Sequence, residues 1–359
     1  GGDLSMIMEI QKYVRAIHIM AMLILGFGFL MVFVKKYGRT TMTATFMLVS
    51  VALPIYFLKE NLGILSAGDS IIDKLILAEF AAASLLICAG AVLGRVKLWQ
   101  YMLLGVLFVP FYAFNEWILL EGGLGLVHHG AFVDVGGSIV IHAFGALFGT
   151  AVALSMTTKK EFAAPIEVDS TSERFSLLGS MILWVFWPSF CAALVPTKDI
   201  PATIINVILA LCGSTIATYL TSMKMRGKVN VADVANAALA GGVAIGSTCD
   251  KVSPGIAFLI GILAGALSVF GFAAIQERLQ KLLKMVDTCG VLYLHGLPGL
   301  FGGLAAMVFV KGISMGDQIL GILITVIVAL VAGFIVGKLL SLTGRREAPY
   351  LYAEELDLE

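Results

Sequence analysis

The chain has 359 residues, of which 59% are hydrophobic and 13% charged, with a mean hydropathy of +0.97. A soluble domain carries about 25% charged residues, so the composition excludes an ordinary water-soluble globule and points to lipid as solvent. Its 24 basic and 24 acidic side chains balance to zero net charge, and no nucleic-acid partner is expected. Cys88, Cys191, Cys212, Cys249 and Cys289 form no CxxC pair, so neither a disulfide framework nor a zinc site is suggested.

The first residues, Gly-Gly-Asp-Leu-Ser, lack an initiator Met and read as an engineered scar or a mature end after signal cleavage, with no bearing on the fold reading. Apolar segments then tile the chain at about 12–34, 40–58, 72–94, 98–120, 135–157, 175–196, 201–223, 231–248, 254–275, 290–311 and 318–341, each near the ~20 residues that cross ~30 Å of hydrocarbon. Eleven crossings give an all-α, multi-pass cell-membrane protein. One transmembrane domain is expected at 1–342, with halves at about 12–157 and 175–311 and an extra helix at about 318–341. A polar linker at about 158–174 joins the halves, and a short cytoplasmic tail occupies 343–359. Seventeen of the 24 basic residues fall on one set of helix ends and seven on the other. Positive charge stays inside, so the N-terminus is expected outside and the C-terminus in the cytoplasm.

The line from Asp134 to Gly149 returns 153 residues later as Asp287 to Gly302. Without a gap, Asp134/Asp287, Gly137/Gly290, His142/His295, Leu147/Leu300, Phe148/Phe301 and Gly149/Gly302 coincide. The offset links the fifth span to the tenth. Five is odd, so the second copy enters the membrane from the opposite side. That pattern is an inverted repeat, a transporter design with its site near the midplane. Each Asp opens its helix, where a carboxylate accepts first-turn amides. Eight residues further on, about 12 Å along the axis, His142 and His295 arrive from opposite faces at a common depth.

A lone membrane histidine reads equally well as a hydrogen-bonded core residue or a pathway residue. Two at matching positions favour the pathway. No carboxylate or thiol joins them at ligand spacing, so no metal is expected. His128-His129 reads as an exposed loop feature. No nucleophile accompanies the pair, so no enzyme and no cofactor are expected. Two neutral imidazoles in an apolar wall suit a small polar molecule that both donates and accepts hydrogen bonds. Burying an unpaired ion costs about 20 kcal/mol in the Born limit. Deprotonating a group of pKa ~10 at pH 7 costs only about 4 kcal/mol, so an ammonium-like substrate is expected to shed its proton first.

These residues resemble the ammonium transporter/Rh family, and specifically its Rh branch. Asp-x-Gly-Gly-Ser-x-x-x-His (134–142) and Asp-Thr-Cys-Gly-x-x-x-Leu-His-Gly-x-Pro-Gly (287–299) look like the Rh signatures of the fifth and tenth helices. Gly-Phe-Gly-Phe-Leu-Met (26–31), Gly-Ala-Val-Leu-Gly (90–94), Asn-Glu-x-Ile-Leu-Leu (115–120), Trp-Pro-Ser-Phe (187–190) and Asn-Ala-x-Leu-Ala-Gly-Gly-Val-Ala (236–244) are similar to further Rh motifs. The resemblance implies a homotrimer with one path per subunit, lined by twin histidines at His142 and His295. It places a paired phenylalanine gate at Phe80 and Phe190, either of which alone would read as ordinary packing. It also implies an external vestibule acid at Glu116, which without the resemblance reads equally as a solvated helix-end residue. Asp134 and Asp287 are expected to be structural helix-start residues first and direct ligands second. Cys191, Glu79 and Leu292 depart from the animal pattern, and the extra N-terminal helix of vertebrate members is missing from the eleven spans. Those departures are those of a microbial Rh protein.

The leading expectation is a channel for neutral ammonia, formed when ammonium loses its proton near Phe80. Carbon dioxide or another small neutral gas as cargo, or electrogenic ammonium transport with separate proton transfer, are the alternatives. A sensor or a membrane enzyme fits less well.

Overall fold

The computed structural model describes residues 1–346, 348–350 and 356–357. Within them every regular element is helical. Among the described residues nine helices are long and apolar enough to cross a membrane: α1 (Gly2–Phe33), α2 (Gly38–Asn61), α4 (Leu98–Leu120), α5 (Ser138–Met156), α6 (Ser170–Ala192), α7 (Thr197–Arg226), α9 (Pro254–Leu283), α10 (Leu292–Phe309) and α11 (Met315–Leu342). Between them lie α3 (Ile71–Ala91), buried along most of its length, and the shorter apolar α8 (Val231–Ile245). The protein is a multi-pass, all-helical membrane protein.

Several helices, α3, α6 and α11 among them, start where a short polar side chain satisfies a free amide. Ser70 Oγ accepts from Asp73 N at 3.1 Å, Asp169 Oδ1 from Ser172 N at 2.8 Å, and Ser314 Oγ from Asp317 N at 3.4 Å. Pro54, Pro110 and Pro188 lie inside α2, α4 and α6. Each proline lacks the N–H that would answer the carbonyl four residues earlier, an interruption that membrane helices tolerate better than soluble ones do.

Three segments at the edges of the expected spans take part in the fold. Gly2 to Ser5 are helical, continuous with α1, because Gly1 carbonyl accepts from Ser5 N at 3.3 Å. The 158–174 connection is not wholly solvated. A short helix, Lys159–Ala163, is closed by a reciprocal Thr158/Glu161 cap, and Glu161 is buried beside Arg345 at 3.6 Å. The polar segment after α11 docks: Tyr350 N donates to Gly94 O at 2.8 Å, and Gln100 Nε2 donates to Gly344 O at 2.9 Å. Residues 347, 351–355 and 358–359 of the expected tail lie outside the described residues.

The duplication is visible as paired contacts. Gly149 on α5 packs against the backbone of α3 at Cys88, and Gly302 on α10 against that of α8 at Ala244. The loops before α5 and α10 cross over instead. Gly136 N donates to Gly246 O at 2.7 Å, beyond α8, and Cys289 N, 153 residues later, donates to Gly90 O at 3.1 Å in α3. Each half thus holds the helix start of the other. Helix α11 packs along α5 and α4, outside this exchange.

Candidate functional site

The local fold that delivers each histidine begins with Asp-x-x-Gly. Gly137 and Gly290 stand at φ +81° and +68°, the left-handed region that L side chains rarely adopt. That turn lets each Asp reach past it to the following helix. Asp134 accepts from Val140 N at 2.8 Å, from Ile139 N at 3.1 Å and from Ser247 Oγ at 2.6 Å. Asp287 accepts from Val291 N at 3.0 Å and Leu292 N at 3.1 Å. His142 and His295 then fall in π-helical turns, Ser138–Ala143 and Leu292–Gly296. Such widened turns re-aim a side chain and are frequent at functional sites.

The two rings meet directly. His142 Nδ1 and His295 Nδ1 are 2.9 Å apart, with ring planes parallel to within 1° and centroids 5.1 Å apart. A 2.9 Å contact between ring nitrogens of near-parallel rings fits an edge-to-edge pair. Both are buried, at 1% and 4% exposure. One shared Nδ1 proton requires opposite tautomers. The donor ring therefore turns a bare Nε2 outward and the acceptor ring an Nε2–H. Among the described residues His142 Nε2 has no hydrogen-bond partner.

Aromatic rings continue the line on both sides. Phe80 and Phe190 lie 4.6 Å apart by centroid, and Phe190 is 6.1 Å from His142. On the far side Phe27 is 6.1 Å from His295. A cavity of about 310 Å³, lined by Leu77, Phe80, Tyr112, Glu116 and Asp134 among others, opens on the Asp134 side. On the Asp287 side Phe27, Leu30, Leu294 and His295 line a void of about 20 Å³. Phe33, Asn236 and Cys289 border both that void and a further cavity of about 280 Å³. Cavity, phenylalanine pair, histidine pair and narrow void follow in that order.

A scan against protein-family models matches residues 4–348 to the Ammonium Transporter Family. The chain belongs to the ammonium transporter family. Its curated relatives place it in the Rh branch. It is 35% identical to Ammonium transporter Rh type A of Bos taurus over 95% of this chain and 81% of that protein. It is 38% identical to Rh type B of Oryctolagus cuniculus, over 79% and 62%. Among solved structures, Nitrosomonas europaea Rh50 superposes with a TM-score of 0.94 at 50% identity, covering 97% of this chain and 92% of that one. A sensor Amt protein shares the fold at 19% identity, TM-score 0.79.

Within this Rh-branch chain the structure brings together His142, His295, Phe80 and Phe190. Glu116 is near them but not at an open mouth. It is 1% exposed, because Tyr56 covers it and donates its hydroxyl to Oε1 at 2.5 Å. His128 lies at the surface against Asp317 at 3.1 Å, and His18 donates to or accepts from Ser189 Oγ at 2.8 Å; neither joins the pair. Trp187 is the residue that sequence reasoning missed. Its ring stacks on His142 at 5.4 Å and 13°, and its Nε1 has no partner. The signal was its place three residues before Phe190, one helical turn away on the same face.

Proposed function

We propose that this Rh-branch protein passes ammonia across the cell membrane as the neutral molecule, through a path in each subunit that runs by Phe80, Phe190, His142 and His295. The observation that carries this reading is the directly bonded histidine pair, enclosed by Trp187, Phe190 and Phe27, with no carboxylate among the described residues bonded to either ring. A cation there would meet apolar walls and no counter-charge, which is far costlier than leaving the proton behind. A neutral molecule with one lone pair and several N–H donors can pair with the bare Nε2 and with the Nε2–H in turn.

Phe80 and Phe190 act as the gate, Glu116 draws ammonium into the outer cavity, and Asp134 and Asp287 anchor the helix starts. The N-terminus lies outside, and three copies assemble. Stopped-flow recording of internal pH in proteoliposomes tests the path. His142→Ala and His295→Ala each lower ammonia permeability several-fold while the folded fraction, read by size-exclusion chromatography, is preserved. Unchanged permeability in both variants would remove the pair from the path. Carbon dioxide flux measured in parallel separates that cargo, and a current accompanying ammonia flux would replace neutral passage with electrogenic transport.

A further inference from the structure

A hydroxyl inside a buried helix ordinarily returns to a carbonyl of its own preceding turn, the nearest acceptor when no water is at hand. Thr41, Thr45 and Thr150 do this, each bonding the carbonyl four residues earlier. Ser84 on α3 departs from that habit. It is 0% exposed, and its Oγ crosses to α5 and donates to Ile141 O at 2.7 Å. The crossing is possible because the facing residue is Gly145. A Cβ there would stand 2.6 Å from Ser84 O and 2.8 Å from Ser84 Oγ.

Ile141 O belongs to the peptide unit that joins Ile141 to His142. The other polar end of that unit, the His142 N–H, donates to Gly137 O at 3.0 Å, five residues back across the widened turn. Both ends of one peptide plane are thereby held, one by the left-handed glycine of its own loop and one by a hydroxyl from a neighbouring helix. The plane itself is rigid, so pinning both ends narrows the directions open to the His142 side chain. The second half lacks this tie. In the register that pairs Cys88 with Ala244, Ser84 falls on Ala240, which has no hydroxyl to give. Ser84 also stands four residues beyond Phe80, one turn along α3 on the same side. One helix therefore carries a ring of the phenylalanine pair and the bond to the turn that presents the first histidine.

We infer that Ser84 is a positioning residue for His142: its hydrogen bond to Ile141 O holds the π-helical turn in the setting that brings His142 Nδ1 onto His295 Nδ1. The inference rests on the reading of the pair as part of the ammonia path and adds the residue that aims it. The effect of Ser84 on conduction runs through the histidine ring, so it depends on that ring being present.

The test measures ammonia permeability of the full chain in proteoliposomes for the wild type, Ser84→Ala, His142→Ala and the double variant. Ser84→Ala lowers permeability about three- to tenfold, the ratio that one hydrogen bond of ordinary strength is worth. Added to His142→Ala it lowers permeability no further, because two residues that act as one unit are not additive. Equal losses on both backgrounds, or none on either, would overturn the assignment and leave Ser84 a packing residue. Solid-state nitrogen NMR of histidine-labelled protein in bilayers reads the pair without flux. In the wild type the two Nδ1 atoms share one proton. Ser84→Ala displaces or abolishes that signal while the resonances of the surface residues His128 and His129 stay in place. A spectrum identical to wild type refutes the positioning role. A displaced one upholds it even if His142→Ala leaves permeability unchanged and the path reading itself fails.

Discussion

The two repeat halves share a skeleton but differ in how they secure it. In both, an Asp reaches past a left-handed Gly to two backbone amides, and a π-helical turn presents a histidine. The Asp134 turn gains one neutral hydroxyl, Ser247, and opens onto the large cavity. The Asp287 turn is instead braced by Arg95, 1% exposed, which donates to Ala91 O and Val286 O, to Thr157 Oγ1 at 3.0 Å and to Thr288 Oγ1 at 3.3 Å. Positioning a histidine requires the skeleton; the bracing is free to differ with what surrounds each mouth.

That comparison breaks most visibly at Arg95. Arg95→Met leaves buried carbonyls and hydroxyls without their donor and is expected to cost at least about 3 kcal/mol, seen as a large fall in the detergent melting temperature. Next come the two glycines, where the halves should respond alike. A Cβ at Gly137 would stand 2.3 Å from Ile141 Cδ1, and one at Gly290 would stand 2.4 Å from Phe272 Cε1. Gly137→Ala and Gly290→Ala each lose about 1–2 kcal/mol from the left-handed backbone alone, and strongly unequal losses in thermal melts would mean that the shared skeleton is not equally needed. The smallest effect falls on Ser247→Ala. It removes one hydrogen bond of about 1.5 kcal/mol and leaves the amide partners of Asp134 in place. If its melting temperature fell as far as that of Arg95→Met, the difference in bracing drawn between the halves would be wrong.

Much of this was legible in the sequence, for reasons that can be named. Long apolar runs mark the helices because lipid leaves a backbone few other choices. The repeat marks the histidines, because residues 153 apart kept the same six identities in register. Backbone departures were not legible: nothing in Ile-Val-Ile-His142 announces a π-helical turn, since it changes hydrogen-bond spacing and leaves composition alone. Trp187 reads as one more apolar residue of α6 until the crossing of α5 and α6 sets it flat on His142. Glu116 reads as a helix-end acid because its cover, Tyr56, comes from α2, 60 residues earlier in the chain.

The crossed amides of the two helix-start loops bear on how the protein is born. When the first half leaves the ribosome, Gly136 N–H has no Gly246 carbonyl to meet and Gly90 O has no Cys289 amide. An unanswered amide inside a bilayer costs several kcal/mol, so the first five helices wait in an unfinished state until the second half arrives. Docking of the second half supplies both missing partners, and the histidine pair requires the same docking. Protease digestion of membranes carrying the first half alone reads that waiting state directly: its loop before α5 should be cut where the full chain is protected, and equal protection would show that the half completes itself.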